Sequence, residues 1–317
     1  MRSKSLPSVA IIIPTYNRAK LLRRAIESVL QQDYSNIVSI IVTDDNSTDN
    51  TEEIVKKYME KDSRIVYIKN KKYEKGPAGN KNNGIDYVEH IVKSELFAIL
   101  DDDDYLLKDA ISSMVKIYLK YEKNYSLVIA EVATEKGINL SIRKEDKEIF
   151  TYEEFIKGSI SGEHFWLIKT EILKGRRYND DCWGGEFILL TKLVKESDVL
   201  YLRKIVRIYE VEGNRVTLKM FDRADRQFLN YKYYIEEFKK DLKEIAPERL
   251  SYLYFVGAIF SKLSKDSEKY WKKYLFNSLK YDKTVINFFK VLMIFFLPEF
   301  ILKKILVFYF NLKNGER

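Results

Sequence analysis

The sequence predicts an α/β fold with a mostly parallel central sheet, followed by a helical C-terminal region. As far as Val132, short β-branched runs alternate with segments whose apolar residues recur at helical spacing. This alternation is typical of strands joined by right-handed helical crossovers, which produce a parallel sheet. From about Phe221 onward the pattern is helical and rich in tyrosine, phenylalanine and lysine. We therefore expect a sheet-containing domain over residues 1–217 and a helical region over residues 218–317.

The expected strands and helices follow one another in a regular order. Strands are predicted where short apolar runs meet polar or turn-forming residues: Val9 to Ile13, Ile37 to Val42, Ile65 to Ile68, Leu96 to Leu100, Leu127 to Val132 and Val199 to Ile208. Helices are predicted where apolar residues recur every three or four positions: Leu21 to Leu30, Thr51 to Met59, Gly79 to Val92, Lys108 to Tyr121 and Phe187 to Val194. Residues 143–154 are rich in charge and predict a surface connection, whereas residues 160–186 show a mixed pattern.

Composition restricts the class of protein. Hydrophobic residues make up 46%, and the 32% of charged residues mix both signs, so we expect a folded core rather than disorder. The net charge of +8 favours phosphates or an anionic membrane surface. Because the lysines are spread along the chain, we expect no nucleic acid partner. The single cysteine, Cys182, excludes an internal disulfide and suits the cytoplasm, and no signal-peptide pattern is seen.

Four consecutive aspartates, Asp101 to Asp104, directly follow the fourth predicted strand. Adjacent like charges repel, so this run predicts a cation at the end of the strand. Hard carboxylate oxygens are the ligands that Mg²⁺ and Mn²⁺ prefer. The alternative is a solvated acidic turn that caps the next helix, since aspartate is a good N-cap residue.

Polar residues follow two further strands of the predicted sheet. Pro14 to Arg18 come after the first strand and Thr43 to Asp49 after the second. Because parallel strands end at the same edge of a sheet, these segments and the aspartates are expected to line one crevice. Open α/β sheets bind their ligands in such a crevice. The sequence therefore predicts a metal site that holds a phosphorylated ligand.

Four segments, in this order, resemble the motifs of the family 2 glycosyltransferases, which have the GT-A fold: Pro14-Thr15-Tyr16-Asn17-Arg18, Asp44-Asp45-Asn46-Ser47-Thr48-Asp49, Gly76-Pro77-Ala78 through Lys81-Asn82-Asn83-Gly84, and Leu100-Asp101-Asp102-Asp103-Asp104. The resemblance extends over roughly residues 7–215. It implies a transferase that moves a sugar from a nucleotide-sugar with inversion at the anomeric carbon. It also implies a divalent metal cofactor, Mn²⁺ or Mg²⁺.

The resemblance assigns donor-binding roles to individual residues. The nucleotide pocket would be lined by Pro14, Thr15, Tyr16 and Asn17, with the Tyr16 ring offering a face to the base. Asp45 would hydrogen-bond the base, and Asp44 would support that loop. Lys81 stands near the expected diphosphate, beside Asn82, where the family often has arginine. Lysine keeps the positive charge but loses the bidentate geometry of a guanidinium.

The metal site is implied by the Asp-x-Asp pattern within Asp101 to Asp103. Asp103 is expected to bind the metal together with Asp101, and Asp102 or Asp101 would contact the ribose or the metal's surroundings. A bound divalent cation stabilises the negative charge that develops on the departing nucleoside diphosphate.

An inverting transfer also needs a general base for the acceptor hydroxyl. Residues 178–186 resemble the acceptor-side motif, in which many members carry a Glu-Asp pair. Here phenylalanine follows Glu186. Glu186 is the expected base and Asp181 the second candidate, although Glu186 could instead only cap the helix that follows. Trp183 would stack on a sugar or pack structurally, and Arg215 would contact the diphosphate.

Two apolar stretches near the C-terminus, Val285 to Leu297 and Phe300 to Phe310, are separated by Pro298-Glu299. Neither reaches the roughly 20 apolar residues that a spanning helix needs. Their lysines predict helices lying at an anionic membrane interface over residues 285–310. The alternatives are packing against the catalytic domain or a partner chain, and a re-entrant or spanning hairpin.

Together these observations predict an enzyme of glycan synthesis at the cytoplasmic face of a membrane. Its donor would be a UDP-, GDP- or dTDP-sugar, and its acceptor a glycan or a lipid-linked hydroxyl. One rival is a nucleotidyltransferase, which would be expected to carry a Gly-rich, basic phosphate loop after the first strand. The other is a non-catalytic family member that binds sugar nucleotide within a glycan assembly complex.

Overall fold

The computed structural model describes residues 5–121, 123–182, 185–210 and 221–313, with side chains as far as residue 307. It contains two compact units. The first comprises Met1–Asp180 and Leu189–Val211, and the second comprises Asp181–Ile188 and Glu212–Arg317. The boundary predicted between residues 217 and 218 lies outside the described residues and stays a prediction.

All six predicted strands are present, several of them longer than expected. The strands are β1 (Val9–Thr15), β2 (Ile37–Asp44), β3 (Ile65–Lys69), β4 (Leu96–Ile99), β5 (Tyr105–Leu106), β6 (Leu127–Thr134), β7 (Ser141–Arg143), β8 (Ile149–Phe150), β9 (Ile160–Gly162), β10 (His164–Lys169) and β11 (Val199–Tyr209). The surface connection and the mixed segment thus contain short strands that the sequence pattern did not reveal.

The predicted helices are also present. The helices are α1 (Ala19–Leu30), α2 (Thr51–Met59), α3 (Pro77–Tyr87), α4 (Ala110–Lys120), α5 (Tyr152–Ile156), α6 (Glu186–Glu196), α7 (Ala224–Ile245), α8 (Pro247–Lys262), α9 (Trp271–Tyr281), α10 (Val285–Phe296) and α11 (Glu299–Lys313). One prediction was wrong in detail: α-helical structure stops at Tyr87, and Val88–Val92 forms a π-helical turn that ends at Lys93 in the left-handed conformation.

The main sheet follows the order β3-β2-β1-β4-β10-β6-β11-β5, and β8 also pairs with β11. From β3 to β4 every pairing is parallel, as is the pairing of β6 with β11. Strand β10 lies between β4 and β6 and is antiparallel to both. The predicted mostly parallel sheet is therefore confirmed over its β3–β4 half, and β10 interrupts it.

The core lies on both faces of this sheet. Every residue of β1 is buried, which is why its sequence is continuously apolar rather than alternating. Ile11 and Ile13 pack with the apolar stripe of α1 on one face, whereas Ile12 packs with Ile85 of α3 on the other. The two helical layers fix the direction of the loops that follow β1, β2 and β4.

The second unit is helical, as predicted. Its interior contains several aromatic contacts: Phe228 contacts Tyr274, and Tyr234 contacts Phe238. Buried Asn287 of α10 donates to the backbone oxygen of Asp282 and so anchors the start of that helix. Among the residues that the structure describes, no helix is both long and apolar enough to cross a bilayer.

Candidate active site

The carboxyl ends of β2, β1 and β4 are neighbours in the sheet, as the sequence predicted. Strands β2 and β4 flank β1, and both pairings are parallel. The polar segments that follow these strands therefore start from one edge of the sheet. This edge is where open α/β sheets bind ligands.

The four aspartates divide into two pairs. The side chains of Asp101 and Asp103 are 40% and 29% exposed. Those of Asp102 and Asp104 are only 6% and 1% exposed. Each buried aspartate has its own hydrogen-bond or ion-pair partners. The two accessible carboxylates, Asp101 and Asp103, are two positions apart in the sequence.

Asp102 connects the fourth strand to the first. It accepts a hydrogen bond of 2.6 Å from Thr15 Oγ1 and one of 3.0 Å from Arg18 Nη1. Burial raises the pKa of Asp102 to about 7 even though Arg18 opposes this shift. Thr15 and Asp102 were expected to meet the donor, and the structure places them in contact with each other. Arg18 also donates to Asp103 Oδ2 over 2.5 Å.

Asp104 is fixed by the last strand of the sheet. It accepts from the backbone N–H of Glu210 at 3.0 Å, and Arg207 Nε lies 3.4 Å from its carboxylate. Arg207 is itself buried and reaches Glu163 at 3.3 Å. Burial raises the pKa of Asp104 to about 7. Arg207 was not predicted to contact the aspartates, and nothing in the local sequence singled it out, because the same strand also contains Arg203 and Lys204.

The two accessible aspartates have different electrostatic surroundings. Lys81 Nζ lies 3.1 Å from Asp101 Oδ1. Burial disfavours the charged form of Asp101, but Lys81 and Arg207 outweigh it and lower its pKa. Burial and the charge of Asp101 raise the pKa of Asp103. The structure thus places Lys81, which was expected near the donor diphosphate, directly beside the aspartate cluster.

The loop after β2 is organised by Asp44 and Asp45, both of which are buried. Asp44 accepts from the Ser47 backbone N–H at 3.1 Å and from Tyr67 Oη at 2.6 Å. Asp45 accepts from Asn70 Nδ2 at 3.0 Å and from the Gly76 backbone N–H at 2.8 Å. Asp45 therefore joins the loop after β2 to the loop that precedes α3.

The loop after β1 presents Tyr16 to solvent. The residue is 42% exposed, and Lys75 Nζ lies 3.9 Å from the ring centre. Asn17 adopts a left-handed conformation with φ of 51°, which asparagine tolerates better than most residues. Asn17 Oδ1 accepts from the Thr48 backbone N–H at 2.7 Å. Pro14 lies in β1 opposite Thr43, beyond the residues that pair with β4.

Two asparagines of α3 make buried bridges. Asn82 Nδ2 donates to the Tyr178 backbone oxygen at 2.8 Å, and its Oδ1 accepts from the Tyr178 N–H at 2.9 Å. Asn80, which the sequence analysis missed, donates to the backbone oxygens of Thr15 and Thr43 at 3.1 and 2.9 Å. Asn80 thus ties together the ends of β1 and β2. The expected contact of Asn82 with the diphosphate stays a prediction.

The candidate bases belong to the second unit. Glu186 is the first residue of α6, and the Asp181 backbone oxygen accepts from Arg226 Nε at 2.9 Å. Their predicted roles stay predictions. Trp183 and Arg215 lie outside the described residues.

The accessible carboxylates fit the implied metal. Asp101 and Asp103 offer hard oxygen ligands at the crevice edge, which suits Mn²⁺ or Mg²⁺. A second carboxylate group, formed by Asp86 and Glu89 with His90, is close enough to hold an ion. However, Arg177 pairs with both of these carboxylates. Asp101 and Asp103 are likewise paired with Lys81 and Arg18, but they lie at the carboxyl ends of parallel strands, where open α/β sheets bind ligands. For that reason the aspartate cluster is the better metal candidate among the described residues.

Comparison with known proteins decides the family. Residues 10–177 match the family model described as "Glycosyl transferase family 2". The chain belongs to glycosyl transferase family 2. It is 35% identical over 286 residues to the GalNAc(5)-diNAcBac-PP-undecaprenol beta-1,3-glucosyltransferase of Campylobacter jejuni, a match that covers 86% of this chain and 89% of the relative. This glycosyltransferase is therefore an enzyme, as the motifs predicted.

Solved structures show its fold. The S. aureus TarS fragment in complex with UDP-GlcNAc superposes with a TM-score of 0.54 at 16% identity, covering 88% of this chain and 74% of that one. The mannosyltransferase of Pyrobaculum calidifontis in complex with GDP-Man and Mn²⁺ gives a TM-score of 0.55 at 17% identity, with 87% of each chain covered. At these identities the likeness concerns the fold alone, and it confirms the GT-A fold that the motifs implied.

Proposed function

We propose that this glycosyltransferase moves a sugar, with inversion, from a nucleotide-sugar to a lipid-linked acceptor, and that it requires Mn²⁺ or Mg²⁺. The observation that carries the proposal is the accessible pair Asp101 and Asp103 at the carboxyl end of β4, next to the loops after β1 and β2. The Campylobacter jejuni relative is named for a diphosphoundecaprenol-linked acceptor. The mannosyltransferase with the same fold was solved with a GDP-sugar and Mn²⁺.

The donor half of the reaction requires stabilisation of the leaving group. Cleavage of the bond between the sugar and the nucleoside diphosphate leaves negative charge on the diphosphate, which a cation held by Asp101 and Asp103 would stabilise as a Lewis acid. Lys81 adds a positive charge beside Asp101. The exposed ring of Tyr16 offers a stacking surface for the base, and Asp45 holds the neighbouring loops in place.

The acceptor half needs one proton transfer. We assign the general base to Glu186, with Asp181 as the second candidate, because both lie in the segment that resembles the acceptor-side motif. The base would take the proton of the acceptor hydroxyl as the oxygen attacks the anomeric carbon from the face opposite the diphosphate. Turnover that survives in Glu186→Gln but is lost in Asp181→Asn would reverse this assignment.

We also propose that the enzyme works at the cytoplasmic face of a membrane. Three phenylalanines of α10 and α11 are largely exposed: Phe289 by 64%, Phe296 by 75% and Phe300 by 65%. Exposed lysines on the same helices, including Lys290 and Lys304, suit an anionic surface. An apolar helix side flanked by lysines is typical of helices that lie in the membrane interface.

The test is product analysis with UDP-, GDP- and dTDP-sugars, Mn²⁺ or Mg²⁺, and a polyprenol diphosphate-linked glycan. We expect one donor to yield nucleoside diphosphate and an extended lipid-linked glycan whose new linkage is inverted. Release of pyrophosphate would instead indicate a nucleotidyltransferase. Donor binding without any product across a panel of acceptors would favour the non-catalytic role.

A further inference from the structure

The guanidinium of Arg18 joins two members of the aspartate cluster. Its Nη1 lies 3.0 Å from Asp102 Oδ1 and 2.5 Å from Asp103 Oδ2. Arg18 comes from the loop between β1 and α1, more than 80 positions away in sequence. It is therefore a built part of the site rather than a local pairing. Its side chain is only 22% exposed.

The contact with Asp103 conflicts with the role proposed for that residue. A carboxylate oxygen that binds Mg²⁺ lies about 2.1 Å from the ion. A guanidinium at hydrogen-bond distance from the same oxygen would place two positive centres within a few ångströms of each other, which is strongly unfavourable. Metal binding through this oxygen of Asp103 therefore requires Arg18 to leave it.

The contact with Asp102 can persist during this change. Asp102 is buried and is held independently by Thr15. If the guanidinium releases Asp103 but retains its hydrogen bond to Asp102, it stays within a few ångströms of the metal site. There it would meet the diphosphate of a donor whose oxygens also bind the metal, and arginine binds phosphate oxygens in a favourable two-pronged geometry.

We propose that Arg18 is an exchangeable counter-ion that makes metal binding and donor binding cooperative. The inference rests on the proposed metal-dependent function. Metal alone must displace the guanidinium from Asp103 without providing a new anion for it. Metal together with a nucleoside diphosphate provides that anion. Arg18 would thus weaken binding of the metal alone and strengthen binding of the metal–nucleotide pair.

Neighbouring cations do not offer the same exchange. Arg24 donates to the backbone oxygen of Asp103 at 2.7 Å and to Glu210 at 2.6 Å, so it does not compete for the Asp103 carboxylate. Lys81 pairs with Asp101, whose carboxylate is not the one that Arg18 contacts. Arg18, by contrast, bridges the carboxylates of two aspartates of the cluster.

The test compares the full-length wild type with Arg18→Gln and with Arg23→Gln, which removes an exposed charge from helix α1, five positions after Arg18. Mn²⁺ affinity is measured by electron paramagnetic resonance, without nucleotide and then with saturating UDP or GDP. We expect Arg18→Gln to bind Mn²⁺ alone about tenfold more tightly, because a charge-assisted competitor has been removed. We expect the enhancement by nucleotide to shrink by a similar factor or more, and Arg23→Gln to match the wild type.

A gain in affinity separates this role from a structural one, since a misfolded site binds metal more weakly. Arg18→Lys keeps the positive charge but loses the two-pronged geometry of the guanidinium. Its Mn²⁺ affinity should lie between those of the wild type and Arg18→Gln. Unchanged or weaker Mn²⁺ binding by Arg18→Gln, with nucleotide-dependent Mn²⁺ binding intact in the wild type, would overturn the inference alone. Absence of nucleotide-dependent Mn²⁺ binding in the wild type would overturn the metal-dependent function and this inference with it.

Discussion

Replacing two exposed phenylalanines of α10 should detach the enzyme from anionic membranes without unfolding it. Phe289 and Phe296 are 64% and 75% exposed, and a phenylalanine side chain presents roughly 200 Å². The pair therefore offers about 280 Å² of apolar surface, worth at most ~7 kcal/mol on complete removal from water. An interfacial helix immerses its apolar side only partly. Taking half of that value, Phe289→Ser combined with Phe296→Ser should cost ~3.5 kcal/mol, or about 300-fold in vesicle partitioning.

The assay is flotation with vesicles that contain anionic lipid, in parallel with thermal unfolding. Exposed side chains contribute little to folding, so the unfolding free energy should change by less than about 0.5 kcal/mol. Ile91→Ser removes a 64% exposed side chain from the first unit and is the matched control. Flotation of the double variant at the wild-type level would refute the reasoning. A wild type that self-associates through these phenylalanines, and does not float, would assign the surface to a second copy.

Three further substitutions probe the first unit. Gly84→Ala should lower the unfolding free energy in urea by ~1–2 kcal/mol, because its Cβ would lie 2.4 Å from Ile12 Cγ2 in the core. Burial lowers the pKa of His164 from 6.5 to about 4, so its contribution to stability is lost as pH falls from about 6.5 to about 4. In His164→Gln, the decrease in unfolding free energy over this pH range should be smaller than in the wild type by up to ~3 kcal/mol. Identical dependence of the unfolding free energy on pH in the two proteins would contradict this. Asn82→Ala breaks two buried hydrogen bonds to Tyr178 and should cost ~2–4 kcal/mol. If nucleotide affinity fell while stability held, Asn82 would instead be a donor contact.

The sequence predicted the parts of the fold that depend on local pattern. Strand β1 and helix α1 were visible because burial on both faces produces a continuous apolar run, and burial on one stripe produces helical spacing. Strand β10 was missed because its pairing with β4 and β6 joins segments far apart in the chain. Its six residues lie in a segment with a mixed pattern, so no periodicity distinguished them.

The sequence motifs predicted which segments form the site, but not which of their side chains contact one another. The four aspartates and the polar ends of β1 and β2 were expected at one edge, and the parallel pairing places them there. The division of the aspartates into accessible and buried pairs was not predictable, because it depends on Arg18 and Arg207, which approach from distant elements. Neither partner has a signal in the local sequence around Asp101 to Asp104.

The central claim is that Asp103 holds a divalent cation that binds the donor. Isothermal titration calorimetry of UDP and GDP, with and without Mn²⁺, tests it most directly on the wild type, Asp103→Ala and Asp33→Ala. Asp33 is an exposed aspartate that controls for the loss of one negative charge. We expect Mn²⁺-dependent binding of one nucleotide, with an affinity that is unchanged in Asp33→Ala and falls at least tenfold in Asp103→Ala. Binding that is independent of Mn²⁺, or equal in the two variants, would exclude Asp103 as the ligand of a donor-binding cation.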